Sequence, residues 1–269
     1  MHPRVNLHQV AFVRESTASF IDHCRDIGVE HVTLVTPVLM QPGGLDDAKA
    51  ALATGGVAVE CVNHPFATYT DLDADTGQAA AGLLRAIEIA GELDARSIYM
   101  LTGARGTLDW EQAAARFAEL VAPCQAAADA AGVQLLVENA NSLNADLHIA
   151  HTLADAATLA EIAGIGLCLE LHACWMEAGL RPLFRRVMPL VGLVQVSDYV
   201  LGDRATPCRA VPGDGAIPLE RLLGDILAAG YTGVFDLELV GPRIDAEGNR
   251  AATRRAAENL SEILTKLGA

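Results

Sequence analysis

The chain has 269 residues, 51% of them hydrophobic, with a formal net charge of -15 and a pI near 4.8. So acidic a surface repels phosphate backbones, which bind through Lys and Arg, and it argues against nucleic acid or an anionic membrane face as a partner. The length and apolar content suit one α/β barrel with a single core and no disulfide or metal staple.

Asn6 to Val13 reads as a first strand, and Ser16 caps a helix that runs to Ile27 and stops at Gly28. His31 to Leu39 is a second strand, Leu45 to Thr54 a short helix, and Val57 to Val62 a third strand leading into Asn63-His64-Pro65. Thr76 to Leu93 has apolar residues at helical spacing, Ser97 to Thr102 is strand four, and Asp109 to Ala131 is a long amphipathic helix ended by Gly132. Val133 to Glu138 is strand five, Thr152 to Ala163 a helix, and Gly164 to Leu171 strand six. A helical segment over Trp175 to Met188 precedes strand seven, Val191 to Ser197. Leu219 to Ala229 is a helix, Gly233 to Leu239 strand eight, and Arg250 to Lys266 the last helix.

This alternation implies a parallel sheet with helices outside it, and eight units imply closure into a single (β/α)8 TIM barrel over residues 1–269. The strands are continuous apolar runs, as expected when both faces are buried. Six cysteines are present, none in a C-x-x-C pair, and most lie in apolar segments, so reduced buried thiols are expected. The first residues lack the layout of a signal peptide, and no uninterrupted apolar run reaches the ~18 residues of a membrane span, so the cytoplasm is the expected location.

Four apolar strands end in a carboxylate or carboxamide: Glu138, Glu170, Gln195 and Glu238 close strands five to eight. In a barrel of this kind, functional groups come from the C-terminal ends of strands. Three carboxylates gathered there repel one another unless a cation sits among them. Oxygen ligands favour Mn²⁺ or Mg²⁺, with Co²⁺ or Zn²⁺ as alternatives. The bland reading, that each acid pairs with a nearby Arg, explains any single one but is strained for four in register.

These residues resemble the xylose-isomerase-like barrels, a superfamily of sugar epimerases, hydroxypyruvate isomerases and 3-dehydroshikimate dehydratases. There a Glu on strand five, an Asp on strand six, a His or Gln on strand seven and a Glu on strand eight bind one divalent metal. Glu138, Glu170, Gln195 and Glu238 stand at those positions, with Gln195 similar to the hydroxypyruvate isomerase and dehydratase branches. Arg209-Ala-Val-Pro-Gly-Asp-Gly-Ala-Ile217 is similar to the family's R-x-x-P-G-x-G-x-I segment, which implies Arg209 as a clamp on substrate oxygens. Gly230-Tyr-Thr-Gly233 is close to a further family habit before strand eight. Glu170 departs from the family's Asp: it is either a metal ligand or the partner of an Arg, which would leave three ligands.

The resemblance implies Glu138 and Glu238 as the acid/base pair, with a metal-chelated substrate losing a proton to give an enediolate. His172 shares the face of Glu170 if strand six continues that far, and His64 at the end of strand three is a candidate for lining the same pocket. Asp198 is read as fixing the loop after strand seven or supporting the metal site from behind, and Asp236 as a buried structural acid. His148 and His151 read as surface or helix-cap residues, and Trp110 and Trp175 as core packing.

The leading expectation is an isomerase or epimerase of a small sugar or hydroxy-keto acid. The alternative is a dehydratase of 3-dehydroshikimate or inosose type. A non-catalytic sugar-binding barrel comes next. An abasic-site endonuclease is disfavoured, because that chemistry needs clustered zinc-binding His and a basic face. A homodimer fits the resemblance, although no motif demands one.

Overall fold

The computed structural model describes residues 1–67 and 71–269. Its strands are β1 (Val5–His8), β2 (His31–Val35), β3 (Ala58–Pro65), β4 (Ser97–Leu101), β5 (Gln134–Glu138), β6 (Gly166–Glu170), β7 (Val191–Val196) and β8 (Phe235–Leu237). They pair in parallel in chain order, and β8 returns to β1 to close the barrel. The helices are α1 (Thr17–Ile27), α2 (Thr36–Leu39), α3 (Gly44–Leu52), α4 (Gln78–Glu92), α5 (Trp110–Ala131) and α6 (Leu153–Ala163). They continue with α7 (Leu171–Cys174), α8 (Leu180–Val187), α9 (Leu219–Ala228), α10 (Pro242–Glu247) and α11 (Asn249–Leu267). The architecture is a single (β/α)8 TIM barrel, as the alternation predicts.

Two apolar cores follow from strand periodicity. Outward residues such as Val32, Val62, Ile98 and Val137 pack against the helices in one continuous cluster. Inward residues Cys61, Tyr99, Leu136, Cys168 and Leu193 fill the barrel lumen as a second cluster. The lumen is therefore a packed floor, and the polar side chains above it gather at the C-terminal mouth. No helix among the described residues is long and apolar enough to cross a membrane. All six cysteines are free thiols, and all but Cys208 are buried.

Several element ends differ from the sequence expectation, each for a local reason. β1 stops at His8, whose ring accepts the Val10 N–H and caps a 3-10 turn over Gln9–Phe12. β2 stops at Val35 because Pro37 cannot donate to a ladder and instead occupies the first turn of α2. β3 runs on through Pro65, which corrects the placement of His64. That residue lies three positions past inward-facing Cys61, so the alternation turns it outward, where its Nδ1 is 3.0 Å from Thr36 Oγ1. A Cβ added at Gly82 of α4 would lie 3.7 Å from the His64 ring.

β6 ends at Glu170, where the Glu170 carboxylate accepts the His172 N–H at 2.9 Å and starts α7. His172 thus stands on a helical turn and not on a continued strand. The expected helix over Trp175 to Met188 is confined to α8, because Gly179 at φ +73° breaks it. β8 is shorter than expected, and Glu238 follows it immediately, its N–H donating to Asp236 O at 3.1 Å.

Candidate functional site

Glu138 ends β5 and Glu170 ends β6, so the barrel closure carries both to the mouth, and Glu238 sits one residue beyond β8. Each offers a carboxylate oxygen such that all three lie within 4.8 Å of one another. Glu138 and Glu170 are 4% and 1% exposed, so their repulsion is little screened. Arg209 meets the cluster from the loop above. Its Nη1 is paired with Glu170 Oε2, and its Nη2 donates to Glu238 Oε2 at 2.6 Å. The three acids and Arg209 line a cavity of about 460 Å³, together with His148 and His172.

Each carboxylate is held differently. Glu170 Oε1 accepts the His172 N–H, and its Oε2 faces Arg209. Glu238 Oε1 lies 3.5 Å from the Tyr99 hydroxyl, and its Oε2 faces Arg209. The nearest cationic or ring nitrogen to Glu138 is His148 Nε2, 3.7 Å from its Oε2. The electrostatics follow. Burial, then the neighbouring Glu238 charge, drives the Glu138 carboxyl well above its ordinary range, and Arg209 only partly offsets this. Burial also raises Glu170, to about 8, with Arg209 pulling it back. Burial lowers His148 to about 4 and His172 to about 3, so both rings are neutral.

Tyr99 belongs to a directional chain. His8 Nδ1 accepts the Val10 N–H at 2.9 Å, so the ring proton is on Nε2, 2.8 Å from Tyr99 Oη. That hydroxyl therefore accepts from His8 and has its own proton left for Glu238. Asn139 ties two strand tips together: it donates to Glu170 O and accepts from Glu170 N, each at 2.9 Å.

Gln195 lies under the cluster in register with Glu170. Its Nε2 is 3.4 Å from Asp236 Oδ2, and its Oε1 is 3.3 Å from Cys168 Sγ. Asp236 also accepts from Asn6 Nδ2 at 2.6 Å, and burial raises its carboxyl to about 6. Asp236 is thus the inward-facing buried acid that strand parity predicts. The Gln195 carboxamide is engaged within the lumen and is not on the cavity wall.

Asp198 holds the loop that carries Arg209. Its carboxylate accepts backbone N–H groups of Tyr199, Gly213, Gly215 and Ile217 at 2.8 to 3.0 Å. Its own backbone exchanges two bonds with Ala210, next to Arg209. A Cβ at Gly215 would come within 2.3 Å of Asp198 Oδ1, so only glycine fits there.

The structure thus brings Glu138, Glu170, Glu238, Arg209 and His172 to one cavity and turns His64 away from it. Burial lowers His64 to about 4, and its Nε2 has no hydrogen-bond partner. Trp110 packs against the core and donates to Ile149 O at 2.9 Å; Trp175 packs there too. His148 corrects the sequence reading of a surface or cap residue: it is 3% exposed and part of the cavity wall. The signal that could have found it is its place in the loop after β5, which returns over the mouth. Leu147 O accepts the Gly103 N–H at 2.8 Å and Thr102 Oγ1 accepts the Ile149 N–H at 3.0 Å, and these bonds pin that loop down.

Residues 21–263 match the family model described as the xylose isomerase-like TIM barrel. No curated protein matches the chain. Among solved structures, a protein of Sinorhizobium meliloti 1021 is 21% identical with a TM-score of 0.83, covering 98% of each chain. The IOLI protein, whose structure holds a zinc atom, is 15% identical with a TM-score of 0.83, covering 98% of this chain and 99% of its own. D-Psicose 3-epimerase with D-tagatose, from Clostridium cellulolyticum H10, is 16% identical with a TM-score of 0.75, covering 98% of both. At these identities the likeness establishes the barrel.

Proposed function

The chain belongs to the xylose isomerase-like TIM barrel family, and from that premise we propose that it is a divalent-metal-dependent isomerase or epimerase of a small sugar or hydroxy-keto acid. The observation that carries this reading is the cluster of Glu138, Glu170 and Glu238 at the mouth. Three clustered hard-oxygen donors, two of them buried with raised carboxyls, Glu138 and Glu170, suit Mg²⁺ or Mn²⁺, whose charge offsets the repulsion that burial leaves unscreened. Those three carboxylates would hold the ion, and Gln195 Oε1 could join them only if released from Cys168.

The ion would polarise a substrate carbonyl and its neighbouring hydroxyl, easing loss of the proton between them. The side chains do the rest. Glu138 and Glu238 remove and return that proton, Glu238 lying beside the Tyr99 hydroxyl while Glu138 is left open to the ligand. Arg209 meets negative charge that develops on substrate oxygen, and the neutral rings of His148 and His172 offer hydrogen bonds to hydroxyls. The family contains sugar epimerases, and the neighbour crystallised with D-tagatose supports a sugar over an acid.

The test is deuterium exchange. The metal-stripped protein, with and without Mn²⁺, is incubated in D₂O with D-tagatose, D-psicose and hydroxypyruvate, and mass spectrometry follows incorporation. We expect Mn²⁺-dependent exchange into at least one ketose, lost in Glu238→Gln while Mn²⁺ still binds. A Glu238→Gln variant with full exchange would sink the assignment, and a product absorbing in the near ultraviolet would move it to dehydration.

A further inference from the structure

Arg209 does more at this site than wait for a ligand. Among the described residues lining the cavity it is the one Arg or Lys. Its side chain is 13% exposed and spans two carboxylates, one of them 1% exposed. The oxygens it takes are the ones left over. Glu170 Oε1 is occupied by the His172 N–H, and Glu238 Oε1 faces Tyr99 Oη, which leaves Glu170 Oε2 and Glu238 Oε2 to Arg209. A cation gathered by the three glutamates would draw on the same two carboxylates that Arg209 now holds, and the oxygens facing Arg209 are the ones without another protein donor.

The loop allows an alternation. The Arg209 backbone is fixed, with its N–H on Val240 O at 3.2 Å and Ala210 bridged to Asp198. The side chain, by contrast, borders a cavity of about 460 Å³ that can receive a displaced guanidinium without movement of the backbone. The charges favour an exchange: a dication offsets more of the negative charge that the three acids can carry than one guanidinium does.

We propose that Arg209 is the resident counter-ion of the carboxylate cluster, and that its guanidinium and a divalent cation compete for the Glu170 and Glu238 carboxylates. The inference rests on the metal reading above. It adds an order of events: the ion binds first and turns Arg209 out, and only then is the cavity's one guanidinium free for a substrate oxygen. It also fixes a sign. A residue that merely props up the carboxylates weakens metal binding when removed, whereas a competitor strengthens it.

The experiment titrates Mn²⁺ into metal-stripped protein and follows the free-ion signal by electron paramagnetic resonance, for the natural chain, Arg209→Gln and Arg209→Lys. Arg209→Gln should bind Mn²⁺ at least about tenfold tighter, since a charge contacting two ligand oxygens has gone. Arg209→Lys should also bind tighter, because one ammonium cannot span both carboxylates, and it keeps the test valid if the Gln variant does not fold. Equal or weaker binding in the folded variants overturns the counter-ion role and leaves the metal site standing. Absence of Mn²⁺ binding in all three proteins overturns the metal reading and this inference together.

Discussion

His148 Nε2 lies 3.7 Å from Glu138 Oε2, both side chains are buried, and neither ring nitrogen of His148 has a hydrogen-bond partner. A buried imidazole left without partners costs stability, so a contribution to the site is the natural reason to keep it. His148→Leu is expected to raise stability in urea unfolding by about 1 kcal/mol. The same variant should lower Mn²⁺-dependent deuterium exchange by about tenfold to a hundredfold. A variant that loses both stability and exchange would make His148 a packing residue.

The pH dependence of the metal-stripped protein has a definite sign. Burial holds the folded pKa of His64 and His148 at about 4 and of His172 at about 3, against an ordinary 6.5. Their contribution to stability is therefore lost as pH falls through that interval, and it is complete above 6.5. Glu170 runs the other way, from an ordinary 4.5 up to about 8, so its contribution is present below 4.5 and lost as pH rises through 8. Glu138 is raised as well and has the same sign. Between pH 6.5 and 8 the carboxyls dominate among these groups, and the melting temperature should fall as pH rises. Glu170→Gln should shrink that fall; a rise in the natural chain over this window would contradict the account.

Asp198 accepts four backbone N–H groups, so Asp198→Asn should cost about 3 kcal/mol, as one acceptor oxygen becomes a donor facing them. Gly215→Ala places a Cβ within 2.3 Å of Asp198 Oδ1 and should cost about 1 to 3 kcal/mol by displacing the same loop. Chemical denaturation checks both.

Tyr99 connects His8 to Glu238, so Tyr99→Phe leaves the His8 Nε2–H without its acceptor and Glu238 without its lower donor. We expect about 1 to 3 kcal/mol of destabilisation. Mn²⁺ binding should be about tenfold to a hundredfold weaker, the usual effect of losing a hydrogen bond behind a metal ligand. Unchanged Mn²⁺ affinity in a folded variant would reduce Tyr99 to floor packing.

Glu138, Glu170, Gln195 and Glu238 are legible as strand tips because buried parallel strands are apolar runs, and a polar terminus marks where each run ends. The (β/α)8 class follows from the alternation itself, and the Arg209 loop from its Pro-Gly chemistry. His64 is misread because its face depends on whether β3 continues past Val62. His172 is read on a strand that the Glu170 cap converts to a helix.

The sequence by itself determined the barrel, the order of its strands and which strands end in polar groups, since these depend on local periodicity and on strand ends. The tertiary structure alone decided who faces whom there. It set Arg209 on Glu170 and Glu238, put His148 beside Glu138, and engaged Gln195 with Asp236 and Cys168. The reason is that these pairings join residues far apart in the chain, and barrel closure, desolvation and loop return bring them within a few ångströms; no local pattern encodes such distances.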